Sequence, residues 1–281
     1  MPFLAGRDRA DWHIHAIGSI TNQTYRLDVG QDSYVVRVAG PTTRYLDRAV
    51  ETHNAAIAAE LGLAPPILFL DDNLLVTRFV TGARPLTAQD LGDPGLLQQV
   101  AALLSRLQRS ARPFRHERHP FGETDRYLGH YPHAPAVAFR RALQPVEAAL
   151  ARSPRPLVPA HVDASAANFL LGGDGRLWLV DWEFSSMADP AWDPASVLMQ
   201  HTGGDESARR FIAAVLGDEK QATLARIGLF RIALCLVAGS WCAMEAAARG
   251  EDALMRTADN YLRRGEGFLG DPQVSRWLET V

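Results

Sequence analysis

The chain has 281 residues, 47% hydrophobic and 22% charged, a balance that excludes disordered and fibrous classes and matches a globular protein with one large or two modest cores. Its 29 basic and 32 acidic residues sum to −3 with histidine neutral. No basic field exists to hold nucleic acid or an anionic membrane surface, so small molecules are the expected partners. The two cysteines, Cys235 and Cys242, cannot build a disulfide framework and read as packing residues in a reducing compartment. Residues 1–10 carry Arg7, Asp8 and Arg9 and do not read as a secretory leader. The longest uncharged apolar run, 232–244, is shorter than the ~20 residues of a spanning helix. A cytoplasmic protein without a membrane or nucleic-acid partner is expected.

Residues 23–29 and 33–38 are rich in β-branched and aromatic side chains and flank Gly30, Gln31 and Asp32, which predicts a hairpin. Over 46–61 the period changes, with Leu46, Val50, Ile57 and Leu61 on one stripe of an amphipathic helix that Gly62 ends. Strands at 67–70 and 74–80 follow. The segment 81–85 breaks the pattern and marks a boundary between a first lobe, 1–82, and a second, 83–281. Beyond it the spacing predicts helices over 94–110, 134–152, 206–216, 221–249 and 252–268, interrupted by a strand-rich island at 157–182 with a glycine turn at 172–175. The predicted class is α+β, with a small β-rich lobe, a hinge and a larger, mostly helical lobe: the outline of a protein-kinase-like bilobal fold.

The island carries the chemistry. His161, Asp163 and Asn168 precede one short strand, and Asp181 closes the next. Asp163 and Asn168 are five residues apart, and a hairpin between them and Asp181 returns all three polar groups to one place. Phosphoryl transfer asks for such a set: a carboxylate beside the acceptor hydroxyl, and an amide oxygen with a second carboxylate to hold Mg²⁺.

The ordered set, together with the segment 181–193, the loop Gly18 to Tyr25 and the strand Tyr34 to Gly40, resembles the aminoglycoside phosphotransferase and choline kinase family, in particular its bacterial choline-kinase-like branch. The likeness is close over about 14–85 and 157–200 and looser over the helical remainder. It implies an ATP- and Mg²⁺-dependent kinase whose first lobe binds the nucleotide. On that resemblance Asp163 orients the acceptor hydroxyl and takes its proton, while His161 braces the loop. Asn168 and Asp181 bind Mg²⁺, and Glu183 reaches a second metal ion or its water. Ser19, Thr21 and Asn22 supply phosphate donors from a loop with too few glycines for a dinucleotide or Walker-type cradle. Adenine lies against the hinge residues Arg78, Phe79 and Val80.

One oddity bears on the third strand: of the 29 basic residues only Lys220 is lysine. Protein kinases hold the α- and β-phosphates with a lysine on this strand, where this chain has Arg37, as the choline kinase branch does. Arginine stays charged and offers a two-pronged donor to phosphate oxygens. Glu51, on the following helix, is its expected acidic partner.

Aromatic and acidic residues gather after the island. Trp182, Trp192, Trp241 and Tyr261, with Asp189 and Glu245, are the expected acceptor contacts, and Phe184 lies among them. Aromatic faces and carboxylates hold an ammonium group, so choline or a related amino alcohol is the expected acceptor. Trp241 stands where the family has a choline-contacting tryptophan; three residues earlier the family has another, and this chain has Ala238. An aminoglycoside, thiamine or sugar acceptor is the alternative, and a catalytically silent binding module is a second. His116, His119, His130 and His133, in a polar stretch, read as a solvated loop over the acceptor cleft rather than as a zinc site.

Overall fold

The structure is a computed structural model that describes residues 4, 6–17, 22–40, 46–71 and 73–281. Its first lobe is an antiparallel sheet of β1 (Trp12–Ile17), β2 (Gln23–Val29), β3 (Asp32–Val38), β4 (Ile67–Leu70) and β5 (Leu74–Arg78), in the order β1-β2-β3-β5-β4. β3 lies at the centre, with Arg37 paired to Thr24 on one side and Leu75 on the other. Leu27, Val29, Tyr34 and Val76 form the small core beneath the sheet. The sequence pattern does not reveal β1, because five of its six residues are exposed and no buried alternation marks it.

One helix, α1 (Arg48–Glu60), covers the sheet. The Asp47 carboxylate caps it, accepting from the N–H groups of Ala49 and Val50. Gly62, at φ 67°, turns the chain out of α1 in the left-handed region where a side chain would be strained. α1 is also tied to the second lobe by wholly buried Asn54. Its Nδ2 donates to Ser185 O at 2.9 Å and Arg115 O at 3.3 Å, and its Oδ1 accepts from Arg115 N at 2.9 Å.

The second lobe begins with β6 (Arg84–Pro85), which joins β8 (Phe169–Leu171) and β9 (Leu177–Leu179) in one small sheet, while β7 (Val158–Ala160) pairs with β10 (Ser186–Ala188). Around them lie α2 (Pro94–Gln108), α3 (Pro120–His130), α4 (Ala134–Ala142), α5 (Gln144–Arg152), α6 (Trp192–Leu198), α7 (Asp205–Leu216), α8 (Gln221–Arg249), α9 (Asp252–Leu269) and α10 (Gln273–Thr280). The single helix expected over 134–152 is two, because Pro145 sits in the first turn of α5 and cannot continue α4. The loop expected around the paired histidines is instead largely α3, which starts at Pro120 and buries Phe121, Glu123, Thr124 and Tyr127. Among the described residues no group of three or more His, Cys, Asp or Glu is placed to hold a metal ion.

α8 is the axis of the second lobe. Reading only its uncharged centre understates it: the helix runs 29 residues and contains an 18-residue window of mean hydropathy 1.8 that would allow membrane crossing by length and composition, yet 78% of that window is buried within the fold. Its arginines are absorbed by neighbours. Arg226 pairs with Asp189, and Arg231 lies over the Phe268 ring at 4.6 Å.

α8 and α9 approach closely through glycine. A Cβ on Gly265 would stand 2.6 Å from the Phe139 ring and 2.8 Å from Cys235 Cβ, neither of which has room to yield. Gly265→Ala should therefore destabilise the protein by about 1–3 kcal/mol through overpacking. Denaturant unfolding at equilibrium checks this, and an unchanged midpoint would contradict the close packing.

Candidate active site

The polar loop between β7 and β8 is held in an unusual backbone. Val162 has φ 73° and Asp181 has φ 68°, both left-handed, and for a β-branched valine that conformation is strained. Each such residue costs on the order of 1–3 kcal/mol and persists only where its surroundings over-determine it. Asp193, fully buried at the start of α6, accepts from the N–H groups of His161 and Val162, each at 2.8 Å. Its neighbour Trp192 donates from Nε1 to Val162 O at 2.8 Å. Burial pushes the Asp193 carboxyl up to about 6, against the lowering effect of those two N–H groups.

His161 is a brace. Its Nε2 donates to Val180 O at 2.9 Å, which fixes the tautomer, and its ring meets Trp182 edge-on with centroids 4.8 Å apart. Burial pushes its pKa down to about 4, so the imidazole is neutral near pH 7. It does not line the cavity beside Asp163.

Asp163, Asn168 and Asp181 come together. Asn168 Nδ2 donates to the backbone and side-chain oxygens of Asp163, both at 2.8 Å, and Asn168 O accepts from Val180 N at 2.9 Å, next to Asp181. The Asn168 Oδ1 remains as its side-chain acceptor. With the neighbouring carboxylates it makes a set of hard oxygen donors, the chemistry that suits Mg²⁺. Burial first, then the charge of Asp181, push the Asp163 carboxyl up to about 7, while the Asn168 hydrogen bond opposes them.

The first lobe faces this set with Arg37. Its Nη1 donates to Asp181 Oδ1 at 2.7 Å, and its other arm pairs with Glu51 on α1. Arg48, unremarked in the sequence, also binds Glu51, at 2.5 Å. Asn22 Nδ2 donates to Glu183 Oε2 at 2.7 Å across the lobes. Ser19 and Thr21 lie outside the described residues. At the expected hinge the N–H groups of Arg78 and Phe79 donate to Pro66 O and Ser33 O, each at 3.0 Å.

On its other side Asp163 borders a cavity of about 200 Å³. Trp192, Trp241 and Tyr261 line it, as do Tyr127 and Phe184. The rings of Phe184 and Trp241 meet edge to face at 6.4 Å, and the Arg118 guanidinium lies over Phe184 at 5.7 Å. Ala238 borders the same space. Three expected acceptor contacts do not reach it. Trp182 is buried in the core with Nε1 donating to Leu179 O at 3.1 Å. Asp189 is consumed by Arg226 and by the N–H of Ala191 at 2.9 Å. Glu245, one turn beyond Trp241, turns to Arg249 at 2.6 Å.

The residues that sequence reasoning passed over, Glu123 and Tyr127, come from α3, where Phe121, Tyr127 and Leu128 after Pro120 were the available signal. Glu123 lines the cavity and is shared between Arg118 and Arg126, so its charge is already balanced within the chain.

The raised Asp163 carboxyl has a consequence for stability. Between its ordinary value of 3.8 and about 7 the folded chain binds more protons at this site than the unfolded chain, so the contribution of Asp163 to stability falls as pH rises through that window. Asp163→Asn removes the buried charge. The variant should gain in melting temperature relative to the parent on going from pH 4.5 to pH 8, and a pH-independent difference would contradict the raised carboxyl.

A model of the phosphotransferase enzyme family matches residues 13–230. Protein LicA of Haemophilus influenzae is 28% identical over 204 residues, which cover 69% of this chain and 59% of that protein, so the chain spans under two thirds of this relative's length. A choline/ethanolamine kinase family protein from Mesorhizobium loti is 26% identical with a TM-score of 0.84, over 100% of this chain and 95% of that one. A LicA structure in complex with AMP is 24% identical with a TM-score of 0.75, over 90% and 91% of the two chains. With its sheet-rich first lobe, helical second lobe and matched family model, the chain belongs to the phosphotransferase enzyme family and has its α+β, protein-kinase-like bilobal fold.

Proposed function

We propose that the chain transfers the γ-phosphoryl group of ATP, with Mg²⁺, to the hydroxyl of a small cationic alcohol, choline or a related amino alcohol. The observation that carries this reading is a cavity with aromatic walls that opens on Asp163, the carboxylate bonded to Asn168 and adjacent to Asp181. An acceptor hydroxyl seated there would donate to Asp163, which takes the proton as the phosphoryl group arrives. Asn168 and Asp181 would hold the Mg²⁺, with Glu183 beside them, and bound Mg²⁺ supplies charge neutralisation on the transferring phosphates. Arg37, fixed by Glu51, would bind the α- and β-phosphates. The LicA complex with AMP, and the spectinomycin phosphotransferase of similar fold in complex with ADP, support nucleotide use.

The aromatic faces of Trp241, Trp192, Tyr127 and Phe184 suit an ammonium group, and choline-kinase relatives support that acceptor class. The cavity, about 200 Å³, is smaller than the about 300–1,000 Å³ of sites for drug-sized ligands, which favours a choline-sized acceptor over an aminoglycoside.

Coupled ADP release with choline, ethanolamine, an aminoglycoside panel, thiamine and simple sugars tests the reading. Amino-alcohol-dependent turnover is expected. Turnover with an aminoglycoside alone would transfer the assignment to drug phosphorylation, and ATP binding without any turnover would make the chain a binding module. Asp163→Asn should lower turnover by about 10²–10⁴-fold while ATP still binds. Trp241→Ala should raise KM for the acceptor about tenfold or more and leave KM for ATP unchanged, consistent with loss of a desolvated cation–π contact.

A further inference from the structure

We propose that Arg48 is a second phosphate-binding cation of the nucleotide site, working beside Arg37; the inference rests on the kinase reading above. Two guanidinium groups share the carboxylate of Glu51. Arg37 pairs with Oε1, and Arg48 reaches Oε2 at 2.5 Å. The ion pair that anchors the β3 cation to α1 needs only one of them. Arg48 goes further: Nη2 donates to Asn22 Oδ1 at 2.9 Å, and Nη1 lies 3.7 Å from Glu183 Oε2, the same oxygen that accepts from Asn22 Nδ2 at 2.7 Å. The fork of Arg48 therefore spans the last residue of the phosphate loop, α1, and the segment just beyond Asp181.

Burying a second guanidinium, at 15% side-chain exposure beside Arg37 at 12%, is costly unless anions surround it. The anions nearest it are Glu51 and Glu183, while Arg37 takes Glu51 and Asp181. Two of these three carboxylates, Asp181 and Glu183, are the oxygen donors that a divalent cation would draw on. Each carboxylate so engaged is drawn away from its arginine, and of these three carboxylates Glu51 alone would then remain to the two guanidinium groups. Polyphosphate oxygens are the anions of matching geometry, because the planar fork of arginine binds them in a two-pronged way. Asn22, Arg37 and Arg48 border one small cleft together with Glu51 and Asp71. No lysine can substitute, since the only one in the chain, Lys220, begins the approach to α8.

A purely structural clasp between the lobes is the competing account, and nucleotide affinities separate the two. Calorimetric titration of the full chain with ATP and with adenosine, each with and without Mg²⁺, is compared for the parent, Arg48→Gln and Arg48→Lys. Phosphate binding by Arg48 requires Arg48→Gln to weaken ATP about tenfold or more and to leave adenosine unchanged, in line with the loss of charge-assisted hydrogen bonds. Arg48→Lys, which retains the charge on Glu51, should give a smaller loss and carries the comparison if the glutamine variant does not fold. Equal ATP affinity in all three proteins, or a parallel loss for ATP and adenosine with a lowered melting temperature, would overturn the proposal and leave the kinase reading intact. Failure of the parent to bind ATP would remove both.

Discussion

The loop that carries Asp163 depends on a carboxylate, Asp193, that is fully buried and does not line the cavity beside that loop. Asp193 takes the N–H groups of His161 and Val162 and so holds Val162 in a backbone conformation that a β-branched residue avoids. That conformation turns the next residue, Asp163, between the cavity and the polar set formed with Asn168 and Asp181. Trp192, adjacent to Asp193, closes the arrangement from one side by donating to Val162 O and lines the cavity beside Asp163 from the other. A single helix start thus fixes the loop geometry and part of the pocket wall, and the strain in the loop is offset by hydrogen bonds that are sheltered from water.

Opposite charges face one another across the cleft between the lobes. Arg37 and Arg48 come from the first lobe with Glu51; Asp181 and Glu183 come from the second. Arg37, Arg48, Glu51 and Glu183 are largely buried, where the effective dielectric is low, so pairings among them are stronger than on a surface and an unpaired charge costs more. A site of this kind is poised to exchange internal partners for external ones of the same sign. The rise of Asp163 toward neutrality in the free chain has the same origin, since burial and Asp181 both disfavour its charge.

Much of this was legible in the sequence because the polar spacing 163–168–181 is tied to a hairpin, and because strands and long helices carry their period openly. β4 and α8 begin and end where the pattern places them. What stayed hidden has physical reasons. β1 exposes five of its six residues, and α3 is short, with Gly, Asp and Arg interrupting its buried positions. Trp182, Asp189 and Glu245 carry the residue types of an ammonium site, yet composition cannot say which way a side chain turns. Trp182 turns into the core, while Asp189 and Glu245 are claimed by Arg226 and Arg249. Arg48 was missed for the converse reason: it looks like one more surface arginine at a helix start, and only the fold brings Glu183 beside it.

The central claim is spatial, and the most direct measurement is a crystal structure of the chain with Mg²⁺, a nonhydrolysable ATP analogue and choline. The account requires the metal ion on Asn168 and Asp181, the triphosphate against Arg37, and the choline hydroxyl within about 2.6–3.2 Å of an Asp163 carboxylate oxygen. A hydroxyl facing away from Asp163, or a nucleotide bound outside the cleft between the lobes, would contradict it.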